Sequence, residues 1–74
     1  MTPTVIELDA RGLEPPQPLM MILEAVATLP EGATILARTR WRPALLYAEL
    51  EQRGFIGESE EQVDGSYLTR IRHR

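Results

Sequence analysis

The chain has 74 residues, a formal net charge of −3, no cysteine and a single histidine, His73. So short a chain builds one core, burying only about 60% of its unfolded surface, which makes residues 1–74 a single domain. The absence of cysteine excludes a disulfide framework, a thiolate nucleophile and a Cys-based metal site, and one histidine makes no zinc centre. Net acidity argues against general affinity for nucleic acid or anionic membrane. No stretch approaches ~18 apolar residues and no basic segment precedes an apolar run, so a soluble, cytoplasmic protein is expected.

After a short lead-in, residues 1–3, the first predicted element is a strand over 4–8. There Ile6 and Leu8 share one face while Val5 and Glu7 share the other. A loop over 9–15 leads to a helix over 16–29. Its apolar stripe is Leu19, Ile22, Leu23, Val26 and Leu29, with Glu24 and Thr28 on the polar side. Pro16 and Pro18 suit the first helical turn, where backbone N–H groups have no intrahelical partner. Pro30-Glu31-Gly32 stops this helix, and residues 33–38 form a second strand in which Ile35 and Ala37 alternate with Thr34, Leu36 and Arg38. The pattern leaves open which of these two faces meets the core.

A second helix opens on Pro43 and ends at Gly54, which stands where a helix C-cap glycine belongs. Leu46 and Leu50 mark its narrow buried stripe, with Pro43 and Tyr47 on the same side. Strands over 55–61 and 66–72 follow, joined by the Asp64-Gly65 turn. The order is βαβαββ. Tight strand–helix–strand connection makes the first two strands parallel, and two helices with four strands give an α/β (α+β) two-layer sandwich: a mixed four-stranded sheet with both helices on one face. Leu23 and Leu50, central to the helical stripes, are expected to be deeply buried. On the open face, Glu58 and Glu60 are expected to pair with Arg70 and Arg72.

The most specific stretch is 8–21, Leu-Asp-Ala-Arg-Gly-Leu-Glu-Pro-Pro-Gln-Pro-Leu-Met-Met. It resembles the signature of the TusA-like (SirA-like) sulfur-carrier superfamily, in which a Leu-Asp strand end leads to a Cys-Pro-x-Pro helix start. The resemblance covers the whole chain and implies the same βαβαββ fold. The motif prolines fall on Pro16 and Pro18, whereas the position of the sulfur-carrying cysteine falls on Pro15. The chain is more similar to a cysteine-free branch of this superfamily, described as a domain of unknown function and sometimes linked to hemerythrin-like domains. Where that branch often has a His-x-Pro-like segment before its second helix, this chain has Trp41-Arg42-Pro43.

A persulfide carrier needs a thiol, and a helix N-terminus helps it ionise. Pro15 offers none, and Pro15, Pro16 and Pro18 together remove three N–H donors from the place that would hold an anion. The second candidate site is Arg38, Arg40, Trp41 and Arg42 at the start of the second helix. Arginine supplies bidentate donors for phosphate or carboxylate, and Trp41 an aromatic anchor. Both helix starts follow parallel strands, so they should share one sheet edge, bordered by Glu14 and Gln17. Asp9 is expected to brace its loop rather than to act with Glu14 as an acid pair, and Glu58, Glu60 and Glu61 have no base to work with. The expectation is a non-enzymatic accessory or regulatory module that binds a protein partner, with no cofactor, metal or membrane. The alternative is a small-anion or RNA-binding domain using residues 38–42, since the fold also resembles the C-terminal domain of translation initiation factor three.

Overall fold

The computed structural model describes residues 4–74; the lead-in at 1–3 lies outside them. The elements run β1 (Val5–Asp9), α1 (Gln17–Ala27), β2 (Thr34–Thr39), α2 (Ala44–Gln52), β3 (Phe55–Glu61) and β4 (Tyr67–His73). The sheet order is β1-β2-β4-β3. β1 and β2 pair in parallel, as a helical crossover requires, while β4 inserts antiparallel between β2 and β3. The fold is the mixed-sheet, two-layer sandwich expected.

Burial alternates along each strand and assigns the faces. Ile35, Ala37 and Thr39 on β2 are buried, as are Thr69 and Ile71 on β4, so these residues meet the helices. Leu36 and Arg38 consequently lie on the open face. The core joins Ile22, Val26 and Leu29 of the first helical segment to Leu46 and Leu50 of α2, over Ile35, Ala37, Phe55 and Ile71. Leu50 is 1% exposed, as expected, but Leu23 is only half-buried. Successive helical residues are turned by about 100°, so when Ile22 and Val26 point straight at the sheet, Leu23 is swung to the flank.

Local chemistry accounts for the turns. Gly54 (φ +82°) ends α2 and Gly65 (φ +87°) closes the β3–β4 hairpin, both in the left-handed region. The Asp64 carboxylate accepts from the Ser66 amide (3.0 Å) and hydroxyl (2.6 Å), which fixes that hairpin and holds the Asp64 carboxyl below its ordinary range. Gly57 permits the close approach of α2 to β3, since a β-carbon there would lie 2.6 Å from Leu50 Cδ1. Beside it the Tyr47 hydroxyl donates to Ser59 Oγ, and Ser59 Oγ pairs with Thr69 Oγ1 at 2.7 Å. His73 ties the end of β4 to the chain beyond α1: its Nε2 lies 2.7 Å from the Leu29 carbonyl and its ring 4.5 Å from that of Phe55.

Candidate functional site: an apolar groove between two helix starts

β1 and β2 run in the same direction with Asp9 beside Arg38, so the loops that follow them leave one edge of the sheet. The Asp9 carboxylate accepts the Arg11 amide (3.1 Å) and binds the Arg11 guanidinium through two bonds, Nε at 2.9 Å and an Nη at 2.7 Å. That guanidinium also reaches Asp64 at 3.6 Å. The paired donors hold the Asp9 carboxyl far below the usual carboxylate range. Asp9 thus braces its loop. The loop amide of Ala10 donates to the Arg38 carbonyl (2.8 Å), which anchors the chain to β2 before it turns towards α1.

The start of α1 is built from proline. Pro16 occupies the N-cap position without a side-chain cap, and a proline stands in the first turn. The Gln17 amide is taken by the Glu14 carbonyl (2.9 Å) and the Met20 amide by that of Pro16 (3.1 Å). At the start of α2 the Ala44 amide goes to Arg42 O (2.9 Å) and that of Leu46 to Pro43 O (3.0 Å). Few donors remain at either helix start. Between the two lies a groove of about 300 Å³. Ala10 and Ile22 lie at its base, Leu13, the prolines at 15, 16 and 18 and Leu19 form one wall, and Trp41, Pro43, Leu45 and Leu46 form the other. The Thr39 hydroxyl, which also faces it, donates to the Trp41 carbonyl at 2.7 Å. Trp41 is 61% and Leu45 76% exposed, large apolar surfaces standing at the groove's outer side.

The structure separates the predicted arginine cluster. Arg38 is half-buried on the open face, on the opposite side of β2 from the buried Thr39. Arg40 and Arg42 both line the groove. Arg40 Nε donates to the Arg11 carbonyl at 3.3 Å, and the Arg42 guanidinium stands 5.9 Å from the centre of the Tyr67 ring. Among the described residues, none of these three arginines forms an ion pair with a carboxylate. Glu14 and Gln17 are exposed at the start of α1 and do not line the groove. On the open face, among the described residues, the expected acid–base pairing takes the form of one ion pair, Arg72 to Glu58 at 3.6 Å.

Sequence reasoning singled out Trp41, Gln17 and the charged residues at this edge and passed over Leu13 and Leu45. The signal was present: both are apolar residues outside any buried stripe, Leu13 just before the prolines of the α1 start and Leu45 just after Pro43.

Among solved structures, a SirA-like protein from Desulfitobacterium hafniense superposes with a TM-score of 0.79 at 25% identity, covering 89% of this chain and 93% of that one. The chain has the SirA-like fold with no cysteine in it. Residues 7–73 match the family described as an uncharacterized conserved protein (DUF2249), and with nearly its whole length matched the chain belongs to that family.

Proposed function

We propose that this protein is a non-catalytic accessory module that works by docking a protein partner on the groove between the two helix starts. The observation that carries this reading is the groove itself. It is an apolar depression with prolines in its walls, flanked by an exposed tryptophan, at the edge where the superfamily places its sulfur chemistry and where this chain has Pro15 instead of a thiol. Aromatic anchors beside apolar pockets are where binding energy concentrates in protein interfaces. The alternative is a small-anion or RNA site, favoured by one observation: Arg40 and Arg42 line the groove without a carboxylate partner among the described residues. Against it stand the prolines and satisfied amides, which take away the backbone donors an anion would use.

The test is NMR mapping of the isotopically labelled chain against inorganic phosphate, a short single-stranded RNA, and peptides selected on the protein from a random display library. The expected result is movement of the Trp41 indole and of amides around Leu13, Leu19 and Leu45 with peptide alone. Trp41→Ala should then weaken binding by about 30-fold or more, the loss typical of an interface hot spot. Movement with phosphate or RNA, steeply weakened by salt, selects the alternative. Signals clustered on Glu58, Glu60, Arg70 and Arg72 with Trp41 still would place the surface elsewhere.

A further inference from the structure

The groove has a second property besides its apolar walls, namely the sign of the charge at its mouth. The molecule is acidic by 3 charges, yet among the described residues the charged side chains that line the groove are two arginines, Arg40 and Arg42. Their engagements leave the positive charge uncompensated. Arg40 gives one N–H to a carbonyl, and Arg42 lies over the face of Tyr67. Neither contact neutralises a guanidinium, and each arginine keeps N–H donors for a carboxylate. The bottom of the groove offers no such partner. Its base is Ala10 and Ile22, the walls above add leucine, proline and Trp41, and the Thr39 hydroxyl is already donating to the Trp41 carbonyl.

Resting on the docking reading above, we infer that the groove takes a partner-protein segment in which large apolar side chains are flanked by acidic ones. The apolar side chains fill the space between the α1 prolines and Leu45, against Trp41. The flanking carboxylates meet Arg40 and Arg42 at the rim. A basic segment would bring like charge to the same rim and leave both guanidinium groups without a partner. Charge of this kind selects among partners and registers more than it adds raw affinity, so the apolar contact supplies the binding and the arginines the choice.

The experiment is a display selection of random peptides on the immobilised full chain, followed by sequencing of the peptides retained. Each enriched peptide is synthesised and titrated against the chain with Trp41 fluorescence and NMR as readouts. Enrichment of Asp and Glu beside Leu, Phe or Trp is the expected result. Replacing the acidic flanks by Lys should then weaken binding at least tenfold, and Arg40→Gln and Arg42→Gln should each weaken it by up to about fivefold. Both arginine variants alter exposed side chains, and their folding is checked by circular dichroism. Enrichment of apolar peptides with no acidic bias, still shifting Trp41, overturns this inference and leaves the docking reading standing. Enrichment of basic peptides does the same. Peptides that leave Trp41 and Leu45 unmoved overturn both. One occupant from within the family of chains is also tested: Val63, fully exposed on a hairpin that carries Glu60, Glu61 and Asp64, is itself an acidic–apolar projection. If sedimentation shows a dimer that Val63→Ser abolishes, with Trp41 shifting in step, the groove's occupant is a second copy and the inference fails.

Discussion

At the scale of single residues, two positions show how little space or charge it takes to fix this edge and its supports. Gly57 is required by proximity alone, because a β-carbon would sit 2.6 Å from Leu50 Cδ1 inside the α2–β3 contact. Gly57→Ala is therefore expected to destabilise by about 1–3 kcal/mol, the usual cost of overpacking a closed core. The cause is checked by a double-mutant cycle in chemical denaturation: in a Leu50→Ala background, itself costing roughly 2–5 kcal/mol, the penalty at Gly57 should vanish. Additive losses would mean the clash is relieved elsewhere. Asp9 is the electrostatic counterpart. The bidentate Arg11 guanidinium holds its carboxyl well below the value of about 3.9 expected of the unfolded chain. Its contribution to stability is thus complete above that value and is lost as the pH falls below it, towards the folded-state value. In Arg11→Gln the Asp9 carboxyl should titrate at a clearly higher pH than in the parent by carbon-detected NMR, still held below the unfolded value by the residue-11 amide and Arg38; an unchanged midpoint would show that those contacts alone hold it. Asp9's bracing role was legible in the sequence, from its place at a strand end before a glycine loop. Gly57 was not, since a short side chain in a strand says nothing about which helix lies over it.

Among the elements, periodicity carried most of the fold, and its errors share a cause. Strand alternation sets Tyr67, Thr69 and Ile71 against Leu68, Arg70 and Arg72, and the burial of Thr69 and Ile71 agrees. The same alternation separates Arg38 from Thr39, so the grouping of Arg38 with Arg40 and Arg42 crossed a period that β2 obeys. In α1 the stripe was correct but its centre was not. Five apolar positions from Leu19 to Leu29 cover a wide arc, and which of them points at the sheet depends on how the helix crosses the strands, a property of neither segment alone. The consequence is a contrast between adjacent residues. Ile22→Ala, at 1% exposure, should cost roughly 2–5 kcal/mol, whereas Leu23→Ala on the half-buried flank should cost about half as much. Equal losses in thermal or denaturant unfolding would mean that α1 rolls to bring Leu23 inward. His73 illustrates the limit from the other side. The predicted strand stops at 72, yet the ring of His73 closes on Phe55 and on the Leu29 carbonyl, 44 positions away in sequence.

For the whole molecule, charge is arranged so that acid lines both outer strands of the small open sheet, away from the apolar groove at the helix starts. The exposed face carries arginine on the two central strands, Arg38, Arg70 and Arg72, and acid on the outer two, Glu7 and Asp9 on β1 and Glu58 and Glu60 on β3. Both free sheet edges are therefore acidic, and Glu61 adds a third negative charge to the end of β3. Two copies approaching edge to edge, in any combination of β1 and β3, bring carboxylates against carboxylates, one of the devices by which exposed strands are kept from pairing. Threonine is compatible with a strand and carries no charge, so Glu58→Thr, Glu60→Thr and Glu61→Thr combined should preserve the fold while removing that repulsion. The variant is expected to retain the parent's circular dichroism and to show a larger, concentration-dependent mass in sedimentation. Trp41 emission should be unchanged, because the association would run through the β3 edge and not through the groove. If the triple variant sediments like the parent at every concentration, the acidic edges are not what keeps copies apart. If association proceeds and Trp41 emission moves with it, the groove is the sticky surface, and the division of labour between guarded strands and open groove is wrong.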